Sequence, residues 1–482
     1  MQSFRFLPQA SASALLLALA GCGVPDLGPR PLPRAPESIA AERSLPASAA
    51  AAWPQEMWWR DYGDPQLAAL IEEGLKASPD VATATARYRR AAGIVQQTGA
   101  AGLPSLDASG KVGVQRQSLN LGYPDQFKQF LPAGWHDSAQ IAASFNFDLD
   151  LWGKNRAALA AATSERRAAE VDVHQARLLL TTGIASAYVD LARLFAVRDI
   201  RAAELTIRES SRKLVADRVT QGLDTRGSLA AAEAQAATAR AAVTEADQWI
   251  ATRRHQLAAL VGAGPDRGLE IARPAPVVLA RRDLPAGATT DLIGRRPDVA
   301  AARERVEAAA SRIKVARADF YPAVNLSALI GFQSLGIGNL IAGDSTFGNA
   351  GPAVTLPIFH GGALQGAYKG ARATYDEAVA NYDKIVLAAY QDAADAVTAQ
   401  AMIAQRLAEA RKALAASNEA YAIARRRYEG GLSNYLDVLS VEDRLVQART
   451  AVAELEAAAR SADVSLIRAL GGGFTTGEVP HA

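Results

Sequence analysis

The chain has 482 residues, of which 49% are hydrophobic, 21% charged and 6% aromatic, and its formal net charge is +2. The length allows a large core and several domains, while alanine-rich stretches with few aromatic residues favour long, closely packed helices over a layered α/β enzyme. Basic and acidic residues are interspersed, and no basic stripe carries aromatic residues, which argues against nucleic acid as a partner.

The N-terminal segment has the pattern of a secretory signal peptide. Arg5 precedes an apolar run from about Ala10 to Ala20, which is too short to span a bilayer. The run ends in Leu19-Ala20-Gly21-Cys22, and Cys22 is the single cysteine of the sequence, so disulfides and cysteine metal sites are excluded. The tetrapeptide resembles the lipobox of bacterial lipoproteins, which implies removal of residues 1–21 and lipid attachment at Cys22.

The residues after Cys22 predict a lipidated N-terminal tether over residues 22–62. Six prolines between Pro25 and Pro46 favour an extended chain, and Gly23 in place of aspartate implies sorting to the outer membrane in this lipoprotein class. An ordinary secretory signal with an unrelated cysteine is the alternative, since the segment before the apolar run is weakly basic. No other segment approaches 18 uninterrupted apolar residues, so no transmembrane helix is expected.

The remaining chain repeats its landmarks in the same order. Ser78-Pro79-Asp80-Val81 returns 218 positions later as Arg296-Pro297-Asp298-Val299, and Gly222-Leu223 returns 209 positions later as Gly431-Leu432. Such self-similarity indicates an internal duplication. We therefore predict a first structural repeat over 63–270, a linker over 271–290, a second repeat over 291–473 and a C-terminal tail over 474–482.

Each repeat is expected to contain a helix, two strands, a long helix and a shorter helix. The prolines at 79 and 297 open helices at a position where the missing N–H costs nothing. Alternation of apolar and polar residues predicts the strands, with loops holding Tyr123, Trp135 and Phe347 between them. The predicted helices cover 79–101, 154–221, 227–261, 297–319, 363–429 and 436–470, and the strands include 111–114, 145–151, 324–329 and 354–358.

The long helices predict a helical column. Tyr368, Tyr375 and Tyr382 recur every seven residues, which favours side-by-side coiled-coil packing. A helix of 67 residues is about 100 Å long, roughly the length of two shorter helices stacked end to end. A soluble helical bundle is the alternative that this periodicity leaves open.

The four strands are long enough to cross a bilayer, and their alternation gives each strand one polar and one apolar face, as a barrel wall requires. Four strands cannot close a barrel, and an open edge in lipid leaves backbone groups unpaired. A membrane-spanning role therefore requires several chains to share one barrel. Two hairpins that cap a soluble bundle are the alternative.

The sequence resembles the outer-membrane factor family of tripartite efflux systems, related to TolC and closer to its lipoprotein branch, over essentially all of the mature chain. The residues that carry the resemblance are the Cys22 lipobox, Trp58-Trp59 before Gly63-Asp64-Pro65-Gln66-Leu67, Arg296-Pro297-Asp298-Val299, Leu356-Pro357-Ile358-Phe359 with Gly361-Gly362, and Arg427-Tyr428 to Gly431 followed by Tyr435-Leu436-Asp437-Val438-Leu439. The implied fold is mainly α with a small β part: a homotrimer in which four transmembrane strands per chain form a twelve-stranded β-barrel that continues into a periplasmic α-barrel.

The implied function is an exit channel in the outer membrane, which receives substrates from an inner-membrane transporter and a periplasmic adaptor protein. Because such a duct passes whatever the transporter delivers, no substrate class is predicted. The nearest alternative is a lipidated periplasmic coiled-coil adaptor, but an adaptor requires one helical hairpin flanked by compact β modules. The duplicated strand pattern does not supply them.

Two sets of candidate site residues lie near the expected hairpin tips. We expect the adaptor to dock at Gly222, Leu223, Gly431 and Leu432, although glycines there are equally explained as helix C-caps. In the family, acidic side chains just past the second turn form a constriction ring, and Asp437 occupies a matching position. The second acidic position is Ser440 in this sequence, so Asp443 is the candidate replacement. Stabilisation of the helix N-terminus is the alternative role of Asp437.

An enzyme is not expected. The five histidines are scattered without metal-ligand spacing, and the sequence contains neither a complete dinucleotide-binding glycine loop nor a GxSxG motif. No catalytic residue, metal or cofactor is therefore predicted.

Overall fold

A computed structural model of the chain describes residues 24–35, 38–46, 51–120, 122, 124–275, 282–285 and 287–475. The described chain divides into two compact units. The first, here called the sheet unit, combines Arg89–Ala168 and Arg303–Asn381 with the N-terminal residues up to Leu32. The second, the helical unit, comprises Pro33–Tyr88, Ala169–Ala302 and the chain from Tyr382 onward.

Long helices dominate the described chain, as predicted, and the bounds of the six predicted helices differ from the expected ones by one residue at most. Four further helices were not predicted, namely α1, α5 and the single-turn helices Asp125–Lys128 and Asp266–Leu269. The longer helices are α1 (Pro65–Ala77), α2 (Pro79–Ala100), α3 (Lys154–Thr220), α4 (Arg226–Leu260), α5 (Ala288–Arg295), α6 (Pro297–Ala318), α7 (Ala363–Glu429) and α8 (Tyr435–Ala469).

Helix starts follow from local chemistry. Proline is the first residue of α1, α2 and α6, where its fixed φ suits the helix and no hydrogen-bond donor is lost. The Asp64 carboxylate caps α1 by accepting hydrogen bonds from the backbone N–H groups of Gln66 and Leu67, which would otherwise lack partners.

Four strands form one antiparallel sheet in the order β1-β2-β3-β4. They are β1 (Ser105–Arg116), β2 (Trp135–Asp148), β3 (Ala323–Leu335) and β4 (Thr346–Thr355). The register pairs Ser105 with Asn146, Asp148 with Asn325 and Ala323 with Thr355. The start of β1, the end of β2, the start of β3 and the end of β4 therefore share one end of the sheet, which adjoins the helices.

Three details of the strand prediction are wrong. Trp135 and Phe347 lie in β2 and β4 instead of in loops, and Tyr123 lies outside the described residues. The predicted second strand continued too far, because its alternation of apolar residues persists beyond Asp148 while the backbone turns at Asp150, whose φ is 45°. The fourth strand was placed too late, since the glycine-rich β4 has low strand propensity and is held by pairing with β3.

The two faces of the sheet differ in chemistry. On one face the register aligns Leu106 with Phe145, and Phe145 with Ala328. On the opposite face it aligns the polar side chains of Lys111, Gln140 and Gln333. Successive strand residues point to opposite faces, so the sheet has one apolar and one polar side.

The helical unit contains the larger core. Its buried cluster includes Trp58, Leu70, Ile184, Leu257 and Ile467, contributed by the 3-10 turn Trp58–Tyr62 and by four helices. In this core, two buried tyrosine hydroxyls donate hydrogen bonds to carboxylates. Tyr188 Oη donates to Asp64 Oδ2 at 2.7 Å, and Tyr62 Oη donates to Asp463 Oδ2 at 2.6 Å.

The N-terminal segment over residues 24–35 has neither helix nor strand. It is bound to α7, because Arg372 Nη1 donates to the carbonyl of Gly28 at 3.2 Å and Tyr375 Oη donates to that of Pro31 at 3.0 Å.

Helix α3 contains an 18-residue window of mean hydropathy 1.3, and 61% of that window is buried. By length and composition it is the one described helix that could cross a membrane. A helix packed in a core meets the same criteria, so a window that is mostly buried is weak evidence for a transmembrane helix.

Candidate functional site

The predicted docking residues lie at two helix–turn–helix tips of the helical unit, between α3 and α4 and between α7 and α8. Gly222 and Gly431 both have φ of 73°, a left-handed conformation that glycine adopts without steric cost. The next residues, Leu223 and Leu432, each donate a 2.8 Å backbone hydrogen bond to the carbonyl five positions earlier. Both turns are therefore the same helix C-cap motif.

The helices after these turns begin with the same capping contact. Thr225 Oγ1 accepts from the Ser228 N–H at 3.1 Å, and Asn434 Oδ1 accepts from the Asp437 N–H at 2.9 Å. The tips therefore form compact, hydrogen-bonded turns, in which the two leucines contribute their backbone N–H groups and leave their side chains outside the cap. Leu223 is 60% exposed and Leu432 is 73% exposed, so each turn presents an apolar side chain to solvent.

A small hydrophobic cluster lies beneath the turns. It consists of Val215, Ala232, Tyr428, Tyr435 and Val438, all buried. Because these residues belong to α3, α4, α7 and α8, the cluster packs the two hairpins against each other close to their ends.

A polar contact joins the two tips. Tyr428 Oη, near the end of α7, donates to Asp224 Oδ2 in the first turn at 3.0 Å. The guanidinium of Arg218 lies 4.9 Å from the centre of the Tyr428 ring, within cation–π range. The sequence does not indicate this contact, since Asp224 is one of many acidic residues and lies in a turn.

The same contact shifts two pKa values. Burial acts to raise the pKa of Asp224, but the hydrogen bonds that its carboxylate accepts, chiefly from Ser228 and the Thr225 N–H, outweigh it and lower the pKa below its usual range. Burial and the bond to Asp224 raise the pKa of Tyr428 to about 12. At neutral pH the pair therefore consists of a neutral phenol donor and an ionised acceptor.

The three predicted constriction residues lie on the first turns of α8, three positions apart, and all are exposed. Asp437 serves the cap through its backbone N–H, and its carboxylate faces solvent. Asp443 differs from the other two, because its carboxylate forms an ion pair with Arg208 of α3. That contact gives Asp443 a structural partner that the sequence did not indicate.

Arg208 is the centre of a buried charge cluster that the sequence does not indicate. Its side chain is 1% exposed, and its Nε lies 3.1 Å from Oε1 of Glu442, whose side chain is completely buried. Glu204 lies 3.7 Å from the same guanidinium and is also paired with Arg201 at 3.0 Å, so Arg208 contacts three carboxylates. The charges link α3 to α8 below the tips.

The surroundings of Glu442 disfavour its ionised form. Burial is the largest effect, and the neighbouring carboxylates of Asp443 and Glu204 add to it, so the pKa of Glu442 rises to about 7 although Arg208 opposes the shift. Neither carboxylate oxygen of Glu442 forms a hydrogen bond of acceptable geometry within the described residues. Glu442 is therefore held near the midpoint of its titration at neutral pH.

The family model of outer membrane efflux proteins matches residues 70–263 and 289–472 of the chain. The match to two separate segments agrees with an internal duplication. The chain belongs to the outer membrane efflux protein family.

Relatives agree with this assignment. The chain is 29% identical over 437 residues to the multidrug resistance outer membrane protein MdtP of Escherichia coli, with 89% of each sequence covered. It is 30% identical over 467 residues to the pyoverdine export outer membrane protein OpmQ of Pseudomonas aeruginosa, with 96% of each covered.

Solved structures share the fold. The outer membrane protein VceC of Vibrio cholerae has a TM-score of 0.82 at 40% identity, covering 88% of this chain and all of that one. The Campylobacter jejuni CmeC outer membrane channel has a TM-score of 0.85 at 23% identity, covering 94% and 96%.

Membership of the efflux protein family confirms the predicted function, location and fold class. The chain is an outer-membrane exit channel of an efflux pump and not an enzyme. Its fold combines long helices with a small antiparallel sheet and an internal duplication. The predicted lipid attachment residue, Cys22, lies outside the described residues.

Proposed function

We propose that three copies of the chain assemble into a homotrimer whose twelve strands close one barrel in the outer membrane. We further propose that this trimer works in a tripartite pump, with a periplasmic adaptor and an inner-membrane transporter as partners.

One observation carries the proposal of shared closure. In the four-stranded sheet, β1 and β4 each pair with a single strand, so each has one open edge among the described residues. An outer-membrane location exposes such edges to lipid, where each unpaired backbone group costs several kcal/mol. Pairing β4 of one chain with β1 of the next removes every open edge.

The chemistry of the two faces fits this arrangement. The face with Leu106, Phe145 and Ala328 suits lipid, and the face with Lys111, Gln140 and Gln333 suits a water-filled lumen.

The oligomeric state is tested by mild cross-linking of outer-membrane fractions, followed by electrophoresis with and without heating. We expect a species of three chains that heating converts to the single chain. A monomer or dimer as the largest specific species contradicts the trimer.

We propose that the tips at Gly222-Leu223 and Gly431-Leu432 receive the adaptor. The glycine turns and caps are explained by helix termination alone, but the exposed leucines are not. An apolar side chain at the apex of a rigid turn is suited to insertion into a complementary groove.

The docking proposal is tested with Leu432→Asp in a pull-down with the adaptor encoded beside the channel. We expect loss of adaptor capture and of efflux, with trimers retained. Met402→Asp is the control, because Met402 is another exposed apolar residue, on α7 and away from the turn. Unchanged capture by Leu432→Asp contradicts the docking site.

We propose that Asp437, with Ser440 and Asp443 on the same helix, lines a constriction at the tip end of the trimer. Three Asp437 carboxylates around one axis repel one another unless cations compensate. Because of this repulsion, a constriction formed by these carboxylates opens easily.

Single-channel recording in planar bilayers tests the constriction. Asp437→Ala should raise the resting conductance and weaken block by divalent cations, and Asp443→Ala should add to both effects. Ser440→Ala changes no charge and is the control. Wild-type conductance and block in both aspartate variants would assign these residues to capping and ion pairing.

We propose that Cys22 carries lipid and is the mature N-terminus. Several acyl chains hold a protein firmly at a membrane, whereas one binds only marginally. Mass spectrometry of the N-terminal peptide should show a lipidated Cys22, and an unmodified Cys22 or cleavage elsewhere contradicts the proposal. Because a barrel itself embeds the chain, Cys22→Ala should impair sorting more than folding.

A further inference from the structure

A cavity of about 570 Å³ lies in the sheet unit between the first turns of α3 and the last turns of α6. Both helices adjoin the central strands, since α3 follows β2 and α6 precedes β3. The cavity is therefore close to the end of the sheet that adjoins the helices.

Small side chains on the two helices make room for the cavity. The lining on one side consists of Ala157 and Ala160 of α3 and of Gly153, which directly precedes α3. The lining on the other side includes Ser311 and Ala318 of α6. Residues three or four positions apart share one face of a helix, so each helix presents a shallow face to the space between them.

The polar lining is basic. Arg156, Lys314 and Arg317 line the cavity, and none of its lining residues is acidic. Arg156 is partly neutralised, because its Nε lies 3.3 Å from Oδ2 of Asp150. Within the described part of the chain, neither Lys314 nor Arg317 has an ion pair. Asp319, which directly follows α6, is paired with Lys154.

Two aromatic rings complete the lining. Trp152 and Tyr321 stack with their centroids 4.8 Å apart and an angle of 22° between the planes. Trp152 Nε1 donates to the carbonyl of Pro322 at 2.7 Å, which fixes the indole, and about half of its surface stays exposed. Fixed, half-exposed tryptophan and tyrosine rings are typical of the headgroup level of a membrane.

Apolar side chains surround this end of the sheet. Exposed leucine, isoleucine and phenylalanine residues precede β1, follow β2 and follow β4, namely Leu103, Leu149, Leu151, Leu356, Ile358 and Phe359. Because the strands are antiparallel, all of these positions belong to the same end of the sheet. The basic cavity is complementary to the phosphate of a phospholipid, and the band of exposed apolar residues beside it is complementary to the acyl chains.

We propose that this cavity binds the phosphate of a membrane phospholipid headgroup, with Lys314 and Arg317 as its charged contacts and the acyl chains along the apolar band. Basic pockets next to membrane-embedded segments bind anionic headgroups in this way. The proposal uses the outer-membrane location of the family and is independent of how the helical tips open.

Native mass spectrometry of the full-length protein in detergent, titrated with dioleoyl phosphatidylglycerol, tests the site. We expect Lys314→Gln/Arg317→Gln to weaken lipid binding about 30-fold, because each basic side chain near a headgroup contributes roughly a fivefold effect. Arg303→Gln/Arg312→Gln is the matched control, since it removes two exposed cations of the same helix outside the cavity. It should change binding less than twofold.

Inorganic phosphate, titrated alone, separates the two sources of the anion. If inorganic phosphate binds in the cavity, and the lipid binds the wild type no better than the double variant, the cavity is a site for free phosphate and the lipid proposal is overturned. Equal lipid binding by the double variant and the wild type also overturns it. Normal bilayer conductance and heat-sensitive migration of the double variant show that folding and the channel are intact, so a failed lipid test leaves the proposed channel assembly unaffected.

Discussion

Replacing Glu442 with glutamine should make the stability of the folded protein less dependent on pH. The Glu442 side chain is completely buried, and its pKa in the folded protein is about 7, against 4.5 as the reference value. Between these values the folded chain holds a proton that the unfolded chain has lost. The contribution of Glu442 to stability is therefore fully present below about pH 4.5 and is lost as the pH rises through 7.

The size of the effect follows from the displacement of the pKa. A pKa of about 7 in the folded protein, against 4.5, changes the free energy of unfolding by about 3 kcal/mol between pH 4.5 and pH 7. The groups that face Glu442 are Arg208 and Glu204 on α3, Asp443 on α8, and the phenols of Tyr421 and Tyr435. Glutamine keeps the shape of the side chain and leaves Arg208 paired with the other two carboxylates.

Thermal unfolding followed by circular dichroism at pH 5, 6, 7 and 8 measures this effect. The melting temperature of Glu442→Gln should exceed that of the wild type by a margin that grows from pH 5 to pH 8. Glu233, the exposed residue 209 positions earlier at the matching place in the first repeat, provides the control variant Glu233→Gln. A constant margin across this range would refute the assignment of the raised pKa to Glu442.

Three further predictions concern the turns and the core. Tyr428→Phe removes the 3.0 Å hydrogen bond to Asp224 and should raise the resting conductance in planar bilayers. Gly431→Ala should cost about 1–2 kcal/mol, because its φ of 73° is left-handed, although no atom lies within 4 Å of the added Cβ. Gly471→Ala should prevent folding, because its Cβ would overlap a backbone carbonyl. Asp64→Ala removes the cap of α1 and the acceptor of a buried tyrosine hydroxyl and should lower the unfolding free energy by about 2–4 kcal/mol.

The helices could be predicted closely because their signals are local. Proline at 79 and 297 fixes two helix starts, and glycine at 222 and 431 fixes two helix ends. The strands were less predictable, since pairing decides their ends. β4 contains Gly348, Gly351 and Pro352, and only its neighbour β3 makes it a strand.

The candidate site could be predicted where it depends on the turns, and not where it depends on contacts across the fold. The docking glycines and leucines recur in both repeats and are visible as a pattern. Arg208 and Glu442 are ordinary charged residues of amphipathic helices in the sequence. Their burial follows from the packing of α3 against α8, which no local periodicity reveals.

The two repeats have identical turns and different polar contacts beneath them. The residue that matches Arg208 in the second repeat is Ser417, and the residue that matches Asp443 in the first is Ala234. The buried cluster therefore joins α3 to α8 and cannot recur between α7 and α4. The two repeats therefore share the frame of the hairpins and differ in the charges beneath the turns.

The two contacts between the hairpins differ in strength and in position. Parting α3 from α8 leaves the buried Glu442 carboxylate, when it is ionised, without its cation, which costs about 3–5 kcal/mol, whereas losing the hydrogen bond between Tyr428 and Asp224 costs about 1 kcal/mol. Arg208 lies twelve residues before the end of α3, and Tyr428 is one residue from the end of α7. A movement that parts the turns therefore breaks the weaker contact first and bends the helix ends above an intact charge cluster. The rise of the Glu442 pKa towards neutrality places the stronger contact under the control of pH, while the Asp224 carboxylate, with its lowered pKa, stays ionised over the same range.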